Sequence, residues 1–157
     1  MSAQSGCGIC AGIERIRTDG ADNFIAELPT CYVVLGDAQF YRGYCVLLAK
    51  RHATEVFLMP SAEAHALFEE LRLVAEAIAA VTRPWKLNYE CLGNVEPHVH
   101  WHIFPRLETD ELRHAPVWER PKSERMITLP DSDRTALIFA LRKEIAARIP
   151  NARVATN

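Results

Sequence analysis

Residues 96–106 read Glu-Pro-His-Val-His-Trp-His-Ile-Phe-Pro-Arg, and histidine recurs in them at every second position, as His98, His100 and His102. Successive side chains of an extended chain point to opposite faces, so this spacing predicts a β-strand with all three imidazoles on one face. The valine, tryptophan and isoleucine of the run fall on the other face, which suits packing against a core. Pro105 is expected to limit the strand at its far end.

Three explanations compete for this row of imidazoles: a metal site, a nucleophilic histidine with supporting neighbours, or chance enrichment on a wet strand face. In an extended strand the backbones of His98 and His102 lie roughly 13 Å apart, whereas the ligands of one zinc ion lie about 2 Å from the metal. One metal ion therefore cannot easily bind all three. An imidazole with a pKa of about 6.5 is largely neutral at physiological pH, and its lone pair could attack phosphorus.

These residues resemble the histidine-triad signature, His-x-His-x-His followed by two apolar positions. Residues 92–97, Leu-Gly-Asn-Val-Glu-Pro, resemble the phosphate loop of that superfamily. Residues 43–52 are similar to the family's second long strand, which ends in a basic residue and a histidine. The resemblance covers most of residues 7–106 and is closest to bacterial nucleotide hydrolases of the diadenosine tetraphosphate hydrolase type.

The resemblance implies an α+β fold, with an antiparallel sheet of about five strands, one long helix and a C-terminal helix. Apolar runs and turn signals predict the strands near 24–28, 31–35, 44–50, 87–92 and 99–104. The long helix is expected to begin at Ser61, with a buried stripe of leucine, valine and isoleucine, and the last helix to span about 131–149. We expect one domain over residues 1–157, with a core at about 7–106 and a C-terminal extension.

The resemblance assigns catalytic roles to the triad. His100 would attack the α-phosphorus of a nucleotide and form a nucleotidyl-histidine, which water then hydrolyses. His102 would hydrogen-bond the phosphate or the leaving oxygen, and His98 would orient its neighbour or bind zinc. The leading substrates are dinucleoside polyphosphates, followed by adenosine phosphoramidates.

Three polar residues are predicted to bind the substrate. Asn88 and Asn94 could hold the nonbridging phosphate oxygens through the transition state. Asp37, after the second strand, could accept hydrogen bonds from the ribose hydroxyls. The alternative is that all three are ordinary turn and strand-end residues.

Cys7 and Cys10 form a Cys-x-x-Cys pair, which is half of a zinc site. In zinc-bearing members of the superfamily such a pair joins two histidines, which correspond here to His52 and His98. The resemblance therefore implies a structural zinc site, and no organic cofactor is expected. The alternative is a pair of reduced cysteines near the N-terminus.

Two positions depart from the family pattern or extend it. Tyr44 stands where several branches of the superfamily carry an additional histidine. Trp118 resembles the C-terminal tryptophan by which some relatives reach a partner subunit's site, and family members lead us to expect a homodimer.

The whole-chain properties restrict the partners. A formal net charge of −2 argues against a nucleic-acid polymer as partner. The N-terminus has no signal-peptide pattern and no apolar run would span a bilayer, so a cytoplasmic protein without membrane contact is expected.

Two other classes of function stay open: a nucleotide-binding or zinc-stabilised interaction module without turnover, and a metallohydrolase using His98 and His100.

Overall fold

The computed structural model describes residues 6–154 of the 157-residue chain. The N-terminal residues on which the prediction of no signal peptide rests lie mostly outside this range. The chain forms four α-helices within the described range: α1 Gly8–Thr18, α2 Ser61–Thr82, α3 Lys122–Arg125 and α4 Asp131–Arg148. It forms six strands there: β1 Phe24–Glu27, β2 Cys31–Leu35, β3 Cys45–Ala49, β4 Lys86–Glu90, β5 His100–Arg106 and β6 Arg153–Val154.

The strands form one antiparallel sheet in the order β4-β5-β3-β2-β1-β6. The predicted α+β architecture is confirmed, and the sheet has a sixth strand that the sequence did not indicate. Pro105 does not end the histidine strand, which continues to Arg106. The pairing of β5 with β3 ends at Ile103, so on that side no ladder is left for the proline to interrupt.

The sheet has one face covered by the two long helices. Helices α2 and α4 pack together there, α2 against β5 and α4 against β1. The core on this face includes alternate residues of β3, Cys45, Leu47 and Ala49. The predicted stripe of α2 is confirmed, since Leu67, Leu71, Val74 and Ile78 are all buried. Helix α2 ends at Thr82, and its C-cap residue, Arg83, has a left-handed backbone (φ 48°) and precedes a proline.

The opposite face, which we call the site face, carries the histidines of β5. Two separate apolar clusters cover parts of it. One is formed by helix α1, whose Ile9 and Ile13 pack with Tyr32 of β2. The other is formed by residues that pack around Tyr44 and Phe104. The floor between them includes Val46 and Leu48 of β3, which are paired with His102 and His100.

The C-terminal extension is part of the same fold. Helix α4 packs against α2 and β1, and β6 pairs with β1 at the edge of the sheet. The N-terminal helix α1 was also absent from the sequence prediction. No helix among residues 6–154 has the length and apolar character needed to cross a membrane.

Candidate active site and metal centre

His100 and His102 form a close pair on the site face. Their ring centroids lie 4.8 Å apart and their planes cross at 76°. The Nδ1 of His100 lies 2.6 Å from the backbone carbonyl oxygen of His98. A carbonyl oxygen only accepts, so Nδ1 carries the proton and the lone pair is on Nε2. This hydrogen bond therefore selects the Nδ1–H tautomer of the neutral imidazole, in which Nε2 is the nitrogen available for attack.

His102 is held in the opposite tautomer. The hydroxyl of Tyr44 lies 2.6 Å from its Nδ1. Burial raises the pKa of Tyr44, so the phenol stays protonated and donates to that nitrogen. The proton of the neutral imidazole then lies on Nε2, as a hydrogen-bond donor. The pair thus places a nitrogen lone pair beside a hydrogen-bond donor that could stabilise a developing oxyanion.

Tyr44 orients His102, whereas the sequence indicated it only as a departure from the family pattern. Its ring stacks on Phe104 with centroids 4.1 Å apart, which directs the hydroxyl toward the histidine strand. A side chain at Gly36 would overlap the Tyr44 ring, so the glycine makes room for it. No local sequence pattern could have indicated this contact, because the partners are 58 positions apart.

We expect His102 to stay neutral far below neutral pH. Burial, and secondarily the charge of His100, lower its pKa to about 4, because a buried imidazolium loses hydration. The neutral form therefore predominates above about pH 4, and protonation occurs as the pH falls through that value. An NMR titration of ring-labelled histidine would check this. A midpoint near the ordinary value of about 6.5 would contradict it.

Four potential metal ligands come together beside the first histidine of the triad. Cys7, Cys10, His52 and His98 each present one ligand atom, and all four atoms lie within 4.8 Å of one another. The Sγ of Cys10 lies 3.5 Å from the Nδ1 of both His52 and His98. The two Nδ1 atoms are 3.3 Å apart. Ligands at normal zinc bond lengths in a tetrahedron are separated by about 3.3–3.8 Å, so the cluster fits that geometry.

The surroundings of His98 suit metal binding. Its Nε2 lies 2.8 Å from the carbonyl oxygen of Ala49, so this nitrogen carries the proton and Nδ1 faces the cluster with its lone pair. Burial lowers the pKa of His98, which favours the neutral imidazole that a metal requires. The ring of His98 thus contacts the metal cluster and not the rings of the other two triad histidines. Its backbone carbonyl group nevertheless orients His100.

Glu96 connects the loop before the triad to the cysteine-bearing helix. Its carboxylate accepts a hydrogen bond of 2.9 Å from the backbone N–H of Gly8, the first residue of α1. An anion at a helix N-terminus satisfies a backbone donor that has no partner within the helix. The Cys7 side chain caps the same helix by accepting from the Cys10 N–H. The start of α1, which carries the cysteines, is therefore fixed to the loop that precedes the histidine strand.

The predicted substrate residues occupy different surroundings. Asn94 is exposed in the loop between β4 and β5, and Asp37 is exposed after β2. Asn88 lies on the site face, where its side-chain oxygen accepts a hydrogen bond from Arg106. Their contacts with substrate stay predictions.

Arg106 is a buried residue that the sequence analysis did not single out. It is fully buried and pairs with Asp110, which in turn pairs with Arg120. This network holds the segment after β5 over the site face. Trp118 of that segment has its ring centroid 5.8 Å from that of His102 in the same chain, so its contact with the site needs no partner subunit. The expected reach into a partner's site is therefore not required here.

Fold and site together define an α+β domain with a histidine pair on an inner strand and a cysteine–histidine cluster beside it. The family model of the HIT domain matches residues 17–109, so the chain belongs to the HIT family. No curated protein matches this chain.

Solved structures of histidine-triad proteins share the fold. One from Sinorhizobium meliloti is 24% identical, with 83% of this chain and 93% of that chain covered and a TM-score of 0.68. One from Bradyrhizobium japonicum is 27% identical, with 79% and 92% covered and a TM-score of 0.64. A Zn-bound histidine-triad family protein from Mycobacterium smegmatis is 20% identical, with 90% and 94% covered and a TM-score of 0.64.

Proposed function

We propose that this HIT protein hydrolyses a nucleotide conjugate at its α-phosphate through a nucleotidyl intermediate on His100. The hydrogen bond from His100 Nδ1 to the His98 carbonyl oxygen carries this proposal, because it leaves the Nε2 lone pair free beside a second, neutral imidazole. HIT-family members are commonly nucleotide-binding proteins and hydrolases. Dinucleoside polyphosphates are the leading substrate class and adenosine phosphoramidates the second.

The reaction proceeds in two displacements at phosphorus. The lone pair of His100 Nε2 forms the N–P bond while the bond from phosphorus to the leaving group breaks, and a polyphosphate leaves as an anion. The Nε2–H of His102 donates a hydrogen bond to the phosphoryl or leaving oxygen, where negative charge develops. Water then attacks the same phosphorus and releases one proton to solvent, while the N–P bond breaks and its electron pair returns to Nε2. The products are the nucleoside monophosphate and neutral His100.

Trapping the covalent intermediate tests the proposal. Wild-type protein mixed with diadenosine tetraphosphate and quenched within one turnover should carry an adenylyl group on the peptide that contains His100. The His100→Ala variant should carry none. Turnover by the wild type without an adduct at any quench time would overturn the covalent mechanism.

We infer that the Cys7, Cys10, His52 and His98 cluster holds a structural zinc ion. Two thiolates and two imidazoles fill a tetrahedral coordination sphere and leave no open position for substrate. When bound, the metal would neutralise the two thiolates and cross-link α1 to the histidine segment. In this proposal the metal takes part in no chemical step, whereas a metallohydrolase would use its metal in catalysis.

We also propose that the protein is a homodimer assembled through β4. This strand is an edge of the sheet, and edge strands with exposed apolar neighbours favour pairing with a second chain. Phe68, Tyr89 and Leu92 are all exposed, and Phe68 contacts Trp101 of the adjacent strand.

If the protein is a homodimer, light scattering should give the mass of two chains. Phe68→Asp should shift it to one chain, because burying the carboxylate in the interface is unfavourable. Phe139→Asp is the control, since Phe139 is equally exposed but lies on α4. A monomeric wild type would contradict the assignment.

A further inference from the structure

Among the residues that the structure describes, Arg106 is the largest fully buried side chain. Moving a guanidinium out of water is unfavourable unless its charge and its donors are satisfied. Asp110 balances the charge, because its carboxylate accepts from Nε at 3.1 Å and from a terminal nitrogen at 2.9 Å. The guanidinium is therefore held in one position by an ion pair within the protein.

The three remaining N–H groups of Arg106 also have acceptors. Two of them donate to the backbone carbonyl oxygens of Leu112 and Ala115, in the segment after β5. The third donates to Oδ1 of Asn88 on β4, at 2.8 Å. A guanidinium has five N–H donors, so all of them are occupied. Of these partners, Asn88 alone belongs to the sheet.

The hydrogen bond from Arg106 determines which way the Asn88 amide faces. A guanidinium only donates, so the amide oxygen must face it, and turning the amide by 180° would set two donors against each other. The amide nitrogen is therefore directed away from Arg106. Within residues 6–154 no acceptor takes a hydrogen bond from this nitrogen, and Asn88 is only half-buried. The amide thus keeps an N–H2 group for another partner.

Asn88 is a neighbour of His102 on the site face. It is paired with Phe104, and the next residue of β4 on this face, Glu90, is paired with His102. Asn88 and His102 are therefore diagonal neighbours across the two strands, at a typical separation of roughly 7–8 Å. A phosphate oxygen can lie between two side-chain donors at that separation.

We propose that Arg106 is a positioning residue for the reaction and that it acts through the Asn88 amide. By holding the amide oxygen, it turns the N–H2 group toward a nonbridging oxygen of the attacked phosphate. The opposite orientation would bring two oxygens together. Donors that are oriented before the reaction stabilise the charge of the transition state best. This inference rests on the proposed function and on the predicted contact of Asn88 with the phosphate.

A purely structural role is the competing explanation, because the other hydrogen bonds of Arg106 hold the segment after β5. Arg120 provides the matched comparison. It is also buried and pairs with Asp110 at 2.7 Å, and it donates to Glu124, whereas Asn88 is not among its partners. Replacing either arginine perturbs the segment, but only Arg106 orients the amide.

A double-mutant cycle separates the two roles. It uses the conjugate that the wild type hydrolyses fastest among diadenosine polyphosphates and adenosine phosphoramidates. Asn88→Ala should lower kcat about 10²-fold with a smaller change in KM, because the donor acts in the transition state. Arg106→Met, which has no donor, should lower kcat about 10-fold or more when Asn88 is present, but less than about 3-fold in the Asn88→Ala background. Arg120→Met should change kcat by the same factor in both backgrounds.

Asn88→Asp tests the amide while the buried arginine stays in place. The carboxylate keeps an acceptor for Arg106, so the Tm should be no lower than that of the wild type, whereas Asn88→Ala should lower it. The same change replaces the N–H2 group by an anionic oxygen. The kcat of Asn88→Asp should therefore fall at least as far as that of Asn88→Ala.

Equal effects of Arg106→Met in the two backgrounds, or wild-type kcat in Asn88→Asp, would overturn the inference and leave the proposed function standing. If Arg106→Met does not fold, the Asn88→Asp result decides. If the wild type hydrolyses no conjugate, the proposed function is refuted and the cycle is read from AMP affinity by calorimetry. Arg106→Met should then weaken AMP binding only when Asn88 is present. A wild type that neither hydrolyses a conjugate nor binds AMP would refute both.

Discussion

His100→Ala is expected to lower kcat for hydrolysis of diadenosine tetraphosphate by at least about 10³-fold. Loss of a covalent nucleophile commonly has effects of this size or larger, because no other group can form the intermediate. His102 cannot substitute, since its Nδ1 accepts from Tyr44 and its Nε2 carries the proton. AMP release by the two proteins, followed with a panel of diadenosine polyphosphates and adenosine phosphoramidates, measures the effect.

His65→Ala is the matched control. This histidine is exposed on α2, far in the sequence from the triad, and its loss should leave turnover within about 2-fold. Equal activity of His100→Ala and wild type would exclude the covalent mechanism. If neither protein turns over any member of the panel, a nucleotide-binding module becomes the better explanation.

The second large effect is expected at the metal cluster. Cys10→Ser should abolish stoichiometric zinc and lower the free energy of unfolding by about 3 kcal/mol or more, as loss of a structural metal commonly does. For a chain of this size the corresponding decrease in Tm is about 6–12 °C. Zinc content by elemental analysis and Tm by calorimetry are the two measurements.

Cys91→Ser is the control, because Cys91 is a free thiol that lies outside the cluster. It should keep the zinc, and its Tm should change by much less. Wild-type protein without zinc, or a Cys10→Ser variant as stable as Cys91→Ser, would contradict the structural role. Loss of turnover on chelation while the protein stays folded would favour a metallohydrolase instead.

Much of the sheet could be predicted because its signals are local. Alternation of histidine with apolar residues around His100 fixes which side chains share a face, since the period of a strand is two residues. The stripe of α2 is equally local, with its apolar residues three or four positions apart. Strand β6 was missed because its two residues are too few to show a period. Helix α1 has Ile9, Ile13 and Ile16 at helical spacing, but over only 11 residues. Both depend on distant contacts, α1 with Glu96 and β6 with β1.

The fold class, the family resemblance and the residue types of the site could be predicted, because they follow from periodicity and from motifs of a few neighbouring residues. The orientation of each imidazole could not, because it depends on contacts made in the folded chain. The carbonyl group of His98 orients His100, Tyr44 orients His102, and the thiols of Cys7 and Cys10 meet His98. The contact of Tyr44 with His102 and the contacts of the thiols with His98 join residues that are tens of positions apart in the chain. Folding alone brings these residues to hydrogen-bonding distance.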